Sequence, residues 1–315
     1  MFGLFKRKKP TESAAVSSPL YQLPAHLISL ITPAEYNQIL QLTIEQLSLK
    51  GTIEAIHDDG SLSILFAGQQ GATLFFLDNL LRKCKAADQS EWEAIVFNHV
   101  KILPINSAAI TYIYKDFEFA APLLKVQVKP KGFAKEVMQD CVYRQDFPDT
   151  YTFLVIDFQD ALHYVRSNEA EEWEKPVDQL FDVALANIAR EKTDVSAYLL
   201  AERLPFFTLF HNDFAAAYAI ELDQNIEEAI GAFGAVVSIP AKGVAFVHPI
   251  ETDTVFDYIG ASHELVQSFY TDEIYTVTDR YYWYYQGQYQ LFPYRVEGNK
   301  AYLSYPAKLR NLLEE

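Results

Sequence analysis

Two runs of almost uninterrupted apolar residues, Ala235–Ile239 and Val244–Val247, restrict the fold of this chain more than any other feature. Strands that are apolar on both faces belong in the covered middle of a sheet. The intervening Pro240-Ala241-Lys242-Gly243 has the composition of a turn. The sequence therefore predicts a buried hairpin around which other elements pack.

A helix is predicted directly before this hairpin. Asn212 or Asp213 is suited to cap its start by accepting a backbone N–H bond, and Gly231 is suited to end it. The apolar residues recur every four positions and therefore share one helical face: Phe214, Tyr218, Leu222, Ile226 and Ile230.

Length and composition exclude several classes of protein. A chain of 315 residues predicts about two domains of roughly 150 residues each. Half of the residues are hydrophobic, which excludes general disorder, and the net charge of −16 repels phosphate backbones, so we expect no nucleic-acid partner. The two cysteines, Cys84 and Cys141, have no metal-binding or disulfide spacing, which is typical of a reducing compartment.

The first 19 residues differ from the rest of the chain. Phe2, Leu4 and Phe5 precede four consecutive basic residues, and a small, polar linker follows. We expect residues 1–19 to form a disordered basic tail. An alternative is weak contact of Phe2–Lys9 with an anionic membrane surface, to which each basic residue contributes about 1 kcal/mol.

Capping and turn signals divide the remainder into two units. Thr32-Pro33-Ala34-Glu35 is a helix start with a capping box, Asp59-Gly60 is a hairpin turn, and Pro104 follows a predicted helix. We predict a small α+β domain at residues 20–105 and a larger α+β domain with aromatic C-terminal strands at residues 106–315. The predicted class is α+β, with two packed units that each have an antiparallel or mixed sheet covered by helices.

The larger unit resembles a known family in the order of its segments. Strands near residues 153–165 precede a helix with Asn187 near its end. The pair Asn212-Asp213 then opens the next helix, and a strand ending in Ile239-Pro240 runs into another apolar strand. In this order, about residues 120–290 resemble the YtpQ-like family of bacterial proteins. The resemblance implies no catalytic residues.

Three histidines and an aspartate are the best candidates for polar chemistry. His211 precedes Asp213 at a predicted strand-to-helix junction, where functional groups often gather. His248 ends an apolar strand, and His263 lies on or beside the apolar stripe of the next helix. If they met, they would form a metal site or an acid–base pair. The spacing does not require this, and separate capping or half-buried histidines are the alternative, so we assign no metal and no cofactor.

Five consecutive aromatic residues form the most unusual local composition. In a strand, Tyr281, Trp283 and Tyr285 share one face, and Tyr282 and Tyr284 share the other. Because five rings are hard to bury on both faces, we expect one face to remain reachable and to contact a partner. The alternative is a strand with one face in the core and the other half-exposed.

These observations favour a cytoplasmic, non-catalytic module that binds a protein or a small molecule. Two alternatives remain open. One is a hydrolase or metal-dependent enzyme that uses His211, Asp213, His248 and His263. The other is a peripheral adaptor at the inner membrane face that acts through Phe2–Lys9.

Overall fold

The computed structural model describes residues 21–66, 72–102, 113, 115–133, 140–158, 162–272, 275–297 and 300–314. The predicted tail at residues 1–19 lies outside this part of the chain, as does the predicted junction near residues 104–110. The helices are α1 (Pro33–Ser48), α2 (Asp78–Lys85), α3 (Trp92–Ile102), α4 (Phe117–Ala120), α5 (Ser167–Glu172), α6 (Val177–Ile188), α7 (Ala215–Tyr218), α8 (Leu222–Asn225), α9 (Val255–Asp272) and α10 (Ala307–Glu314).

The strands lie between these helices in consecutive runs of two to four. The strands are β1 (Gly51–Ile56), β2 (Leu62–Phe66), β3 (Thr73–Phe75), β4 (Leu124–Pro130), β5 (Tyr143–Arg144), β6 (Thr150–Asp157), β7 (Leu162–Tyr164), β8 (Asp194–Leu200), β9 (Leu204–Phe210), β10 (Ala235–Ala241), β11 (Val244–Pro249), β12 (Tyr281–Tyr285), β13 (Gln288–Leu291), β14 (Tyr294–Glu297) and β15 (Lys300–Leu303).

The smaller unit begins with the predicted capping box. The Thr32 hydroxyl accepts the backbone N–H of Glu35 at 3.3 Å, and the Glu35 carboxylate accepts the N–H of Thr32 at 2.9 Å. The bonds from Thr32 hold the pKa of Glu35 at about 2, well below its usual range. The cap thus fixes the start of α1, as the sequence predicts.

Helices α1, α2 and α3 pack around the antiparallel sheet β1-β2-β3. Strands β1 and β2 are joined by the predicted turn, in which Gly60 has a φ of +80°. A Cβ at this position would lie 2.9 Å from a carbon of Pro24, so both the backbone and the space favour glycine. The core of this unit is made by residues of all three helices and the sheet, including Tyr36, Ile64, Leu81 and Val96.

The larger unit contains two antiparallel sheets and a separate hairpin, β14-β15. One sheet has the order β4-β6-β5, with β7 also paired to β6, and the other has the order β13-β12-β10-β11-β9-β8. The predicted apolar hairpin is β10-β11, and it occupies the middle of the six-stranded sheet. Every residue of both strands is buried, as the apolar pattern requires.

Alternate residues of the six-stranded sheet enter two different cores. One face packs with the four-stranded sheet and α6, and its core includes Val126, Phe181 and Val237. The other face is covered by α9 and α10, with Tyr258 and Leu309 in that core. The predicted α+β class, built of packed units in which helices cover antiparallel sheets, is confirmed.

The prediction of one long helix after Asn212 is wrong. The segment is instead divided into α7, a 3₁₀ turn at Ala219–Glu221, α8 and a second 3₁₀ turn at Glu227–Ala229. The Asn225 side chain donates to the carbonyl of Tyr218 at 2.7 Å and competes with regular helical bonding. Most of the expected apolar face is still buried, because the folded-back turns point it into the same core.

Within the described residues, no helix combines the length and apolar character that crossing a membrane requires.

Candidate functional site

Strand β4 carries polar side chains on a covered face. Successive residues of a strand point to opposite faces, so Leu124, Val126 and Val128 enter the apolar core. The alternate residues point the other way, yet they too are almost fully buried: Lys125, Gln127 and Lys129. Buried polar groups are expected to have hydrogen-bond partners, which makes the surroundings of these three side chains informative.

Lys125 and Gln127 both have hydrogen-bond partners. The Lys125 ammonium donates to the carboxylate of Asp157 at 2.7 Å and to that of Glu191. The Gln127 amide donates to the backbone carbonyl of Asp213 at 3.0 Å. Burial alone would lower the pKa of Lys125, but its two carboxylate partners outweigh burial and raise the pKa. These two residues are therefore satisfied parts of the packing.

Lys129 is buried without such partners. No described residue accepts a hydrogen bond from its ammonium or forms an ion pair with it. The ammonium instead lies 4.6 Å from the ring centroid of Phe133 and 5.0 Å from that of Tyr275. Burial lowers the pKa of Lys129 to about 8, with a further contribution from nearby Lys242.

Lys242 approaches the same tyrosine from the turn between β10 and β11. Its backbone N–H donates to the carbonyl of Tyr275 at 3.0 Å, and its carbonyl accepts the N–H of Ala216 at 3.0 Å, which fix the turn in place. Its ammonium lies 3.6 Å from the Tyr275 ring centroid and donates to the carboxylate of Asp213. Burial lowers the pKa of Lys242, and Asp213 opposes that effect.

The smaller unit contributes a third cation through α2. The Arg82 guanidinium lies 4.9 Å from the Tyr275 ring centroid, and the Tyr275 hydroxyl donates to the side-chain oxygen of Asn79 at 3.4 Å. Asp78, at the start of α2, is also buried and lies 3.3 Å from the ring of His26. Tyr275 is thus a meeting point of both units.

We call these residues the Tyr275 cluster: Arg82, Lys129, Lys242, Asp78, Asp213 and Tyr275. It contains three cationic side chains and two carboxylates in a chain whose net charge is −16. Of the two carboxylates, Asp213 is bonded to Lys242 and Asp78 to His26. The three cations, the lack of a hydrogen-bond acceptor for the Lys129 ammonium among the described residues, and the aromatic rings beside it together suit an organic anion.

The predicted His211 and Asp213 do lie side by side, but His211 acts as a cap. Its Nδ1 accepts the backbone N–H groups of Asp213 at 3.0 Å and of Phe214 at 3.1 Å. Nδ1 is therefore the unprotonated nitrogen, and Nε2 lies 3.6 Å from the Glu191 carboxylate. This arrangement stabilises the start of the segment after β9.

The other two predicted histidines are elsewhere. His248 is buried with its Nδ1 2.6 Å from the carbonyl of Pro205 and its ring stacked on Tyr258, and burial lowers its pKa. Pro205 lies near the start of β9 and His211 directly after its end, which separates them by about 20 Å of strand.

His263 is exposed on α9. The three histidines lie apart, which agrees with the alternative of separate histidines, and within the described part of the chain no group of three or more His, Cys, Asp and Glu residues is arranged to hold a metal.

The expectation that one face of the aromatic strand β12 is reachable is also wrong. Four of its five residues are buried, because β12 lies inside the six-stranded sheet and helices or a second sheet cover both faces. Tyr282 and Tyr284 enter one core, and Tyr281 and Trp283 enter the other. Only Tyr285 is half-exposed. These rings are core residues and do not form a contact surface.

The two thiols are not nucleophiles. Cys84 and Cys141 are both buried, and burial raises the pKa of each to about 11. At neutral pH both are protonated and therefore unreactive.

Lys129 and Lys242 were missed by the sequence analysis for a physical reason. The residues LKVQVKP of β4 alternate between apolar and polar, which is typical of a strand with one face in water. Lys242 lies in a turn, where a lysine is usually solvated. Neither pattern indicates that these two side chains are buried beside the Tyr275 ring.

Comparisons with family models, with curated proteins and with solved structures found no match to this chain, so the expected family resemblance stays a prediction.

Proposed function

We propose that this chain is a non-catalytic binding module for a small organic anion, and that the Tyr275 cluster is its binding site. The observation that supports this most concerns Lys129, a buried residue whose ammonium lies beside two aromatic rings and has no hydrogen-bond acceptor among the described residues. A buried charge without a partner is destabilising. A ligand that supplies the missing negative charge would remove that penalty, and the gain would contribute directly to its affinity.

The composition of the cluster favours an anion over other ligands. Its cations come from α2, β4 and the β10–β11 turn, so three separate elements direct positive charge at one tyrosine ring. Arg and Lys side chains form charge-assisted hydrogen bonds to carboxylates and phosphates, which are stronger than bonds between neutral groups. The acidic remainder of the chain would in turn repel anions from most other surfaces.

The proposal retains a bacterial, cytoplasmic module as the setting, on the basis of the YtpQ-like resemblance and the cysteine usage. It does not retain the enzyme built on His211, Asp213, His248 and His263, because His248 and His263 lie away from the adjacent His211 and Asp213. It makes no use of Phe2–Lys9, so membrane contact through that segment stays a prediction.

Thermal unfolding in low salt, measured with a panel of probes, tests the proposal. Inorganic phosphate, pyruvate and citrate are the anionic probes, and glycerol and choline are the neutral and cationic ones. A ligand present at a hundred times its dissociation constant stabilises the folded state by about 2.7 kcal/mol. We expect at least one anion to raise the unfolding temperature, and glycerol and choline to leave it unchanged.

Variants connect the binding to the site. Lys129→Met and Lys242→Met remove cations of the cluster, whereas Lys131→Met removes a nearby lysine whose ammonium donates to the carbonyl of Pro148. We expect the first two variants to lose the stabilisation by the anion and the third to keep it. Equal stabilisation of all three variants, or no stabilisation of the wild-type protein by any anion, would contradict the proposal.

A further inference from the structure

We propose that Lys129 captures the carbonyl group of its ligand as a reversible imine, so that the ligand is an aldehyde or ketone that also carries an anionic group. This inference rests on the proposed function, because the other cations of the Tyr275 cluster would hold the anionic group. It goes further in that it names a covalent bond and the atom that forms it, Nζ of Lys129.

The three buried lysines of the described residues differ in what their nitrogen atoms contact. Lys125 donates to two carboxylates, and Lys242 donates to Asp213. Lys129 has aromatic rings beside it and no hydrogen-bond acceptor among the described residues. Of these three lysines, only Lys129 can lose a proton and become a neutral amine without breaking an existing ion pair.

Its surroundings also favour the neutral amine, which is the nucleophilic form. A lysine is activated when it is desolvated or placed beside another cation, and Lys129 meets both conditions through its burial and through Lys242. With a pKa of about 8, the neutral fraction near pH 7 is on the order of a few hundred times that of an ordinary lysine.

The reaction balances without an added oxidant or reductant. The lone pair of the neutral Lys129 amine attacks the carbonyl carbon, and the carbonyl π electrons move to the oxygen. The two amine protons leave with that oxygen as water, and a C=N bond remains. Amine and carbonyl thus give imine and water, and hydrolysis reverses the step. Lys242 and Arg82 lie against the same Tyr275 ring as Lys129 and would attract the anionic group of the same ligand.

The test uses the full-length protein, limiting glyoxylate and sodium cyanoborohydride, which transfers hydride to the imine and leaves a stable secondary amine. Intact mass and peptide mapping then report how many adducts form and where. We expect a single adduct at Lys129. Propanal, which has an aldehyde but no charge, should label it less. Lys129→Arg should abolish the adduct, and Lys131→Arg should retain it. Far-UV circular dichroism and thermal unfolding would verify that each variant is folded.

Lys242→Met provides a second measurement that does not depend on the loss of Lys129. Removing the neighbouring cation, and leaving the carboxylate of Asp213 without its partner, both raise the pKa of Lys129. We expect the pH of half-maximal labelling at Lys129 to shift upward in this variant. A surface lysine that is merely accessible would show no such shift.

Several outcomes would overturn the inference. Adducts spread over surface lysines, or an unlabelled Lys129, would contradict it. If anions stabilise the wild-type protein but no adduct forms at Lys129, the imine is wrong and the anion site remains. If Lys129 is labelled equally by glyoxylate and propanal and no anion stabilises the protein, Lys129 is reactive but the proposed function is wrong.

Discussion

Strands β4 and β12 both place unusual side chains under cover, and they differ in how those side chains are satisfied. In β12 the polar ring atoms have partners, including Ser262 for the hydroxyl of Tyr281 and the carbonyl of Phe233 for the indole N–H of Trp283. In β4 the Lys125 ammonium is paired with two carboxylates, whereas the Lys129 ammonium has no such partner among the described residues. These polar groups of the aromatic strand thus find their hydrogen-bond partners within the protein. The ammonium at one end of β4 has no hydrogen-bond acceptor among the described residues.

The two strands differ in what makes each unusual: β12 has a rare composition, and β4 has a buried charged side chain. The aromatic run is rare in sequence, yet its rings fill two cores and leave little for a partner to contact. The lysines of β4 are ordinary in sequence, yet one of them, Lys129, is buried with no hydrogen-bond acceptor for its ammonium among the described residues. An unmet physical requirement of a buried group is therefore a better reason to propose a site than an unusual composition is.

The largest effect expected from this comparison is on the aromatic strand. Trp283→Ala should lower the free energy of unfolding by about 3–5 kcal/mol, because the side chain is fully buried and its removal leaves a cavity. Gln288→Ala, an exposed position on β13, should change it by less than about 0.5 kcal/mol. Urea denaturation measures both. If Trp283→Ala were as mild as Gln288→Ala, β12 would not be core.

The next largest effect concerns the paired end of β4. Lys125→Met should destabilise the protein by about 3 kcal/mol, because it leaves the carboxylates of Asp157 and Glu191 facing each other without their cation. The effect lies at the lower end for buried pairs because both carboxylates keep some contact with water. Lys192→Met, at an exposed position, is the matched control. A neutral Lys125→Met would mean that the ion pair does not form in solution.

The sequence predicts the local parts of this fold well. The capping box at Thr32 and Glu35 and the turn at Asp59-Gly60 depend on residues within a few positions, and the structure has both. The apolar hairpin β10-β11 is likewise evident from its uniform composition. The helix after Asn212 is mispredicted because its spacing describes which side chains are buried, and several short turns satisfy the same spacing.

The candidate site is not predictable from local patterns. Lys129, Lys242 and Arg82 come from distant parts of the chain, and Tyr275 lies in a segment with no regular structure. The local sequence around each lysine is typical of a side chain that is exposed to water. The three cations come together because all of them lie against the ring of Tyr275, and no periodicity in the sequence encodes those contacts.

The smallest effect concerns the unpaired end of β4, and it depends on pH. In the unfolded chain, Lys129 has the ordinary lysine pKa of 10.5, and in the folded protein its pKa is about 8. Between these values the unfolded chain binds more protons, so the free energy of unfolding rises with pH. Below pH 8 both forms are protonated, and the penalty for burying the charge is fully present. Above pH 10.5 both forms are neutral, and the penalty is gone.

The charged groups that face Lys129 modify this effect without reversing it. Lys242 lowers the pKa of Lys129, and Asp78 and Asp213 raise it, but burial is the largest cause. Tyr275 has a pKa raised well above 10, so it stays protonated in the folded protein over the pH range that matters. Lys129→Met also removes the repulsion between Lys129 and Lys242, so the pKa of Lys242 is lowered less in the variant than in the wild-type protein. The free energy of unfolding therefore rises more steeply with pH in the wild-type protein than in the variant.

Urea denaturation of the wild-type protein and of Lys129→Met across this range isolates the effect. From about pH 7.5 to about pH 9.5, the wild-type protein should gain about 1–2 kcal/mol of stability relative to the variant. Near neutral pH, Lys129→Met should be at least as stable as the wild-type protein, in contrast to Lys125→Met, because no carboxylate loses its partner. Lys131→Met should parallel the wild-type curve. If the curves of wild type and Lys129→Met were parallel, Lys129 would be solvated or paired in solution, and the two ends of β4 would then be alike.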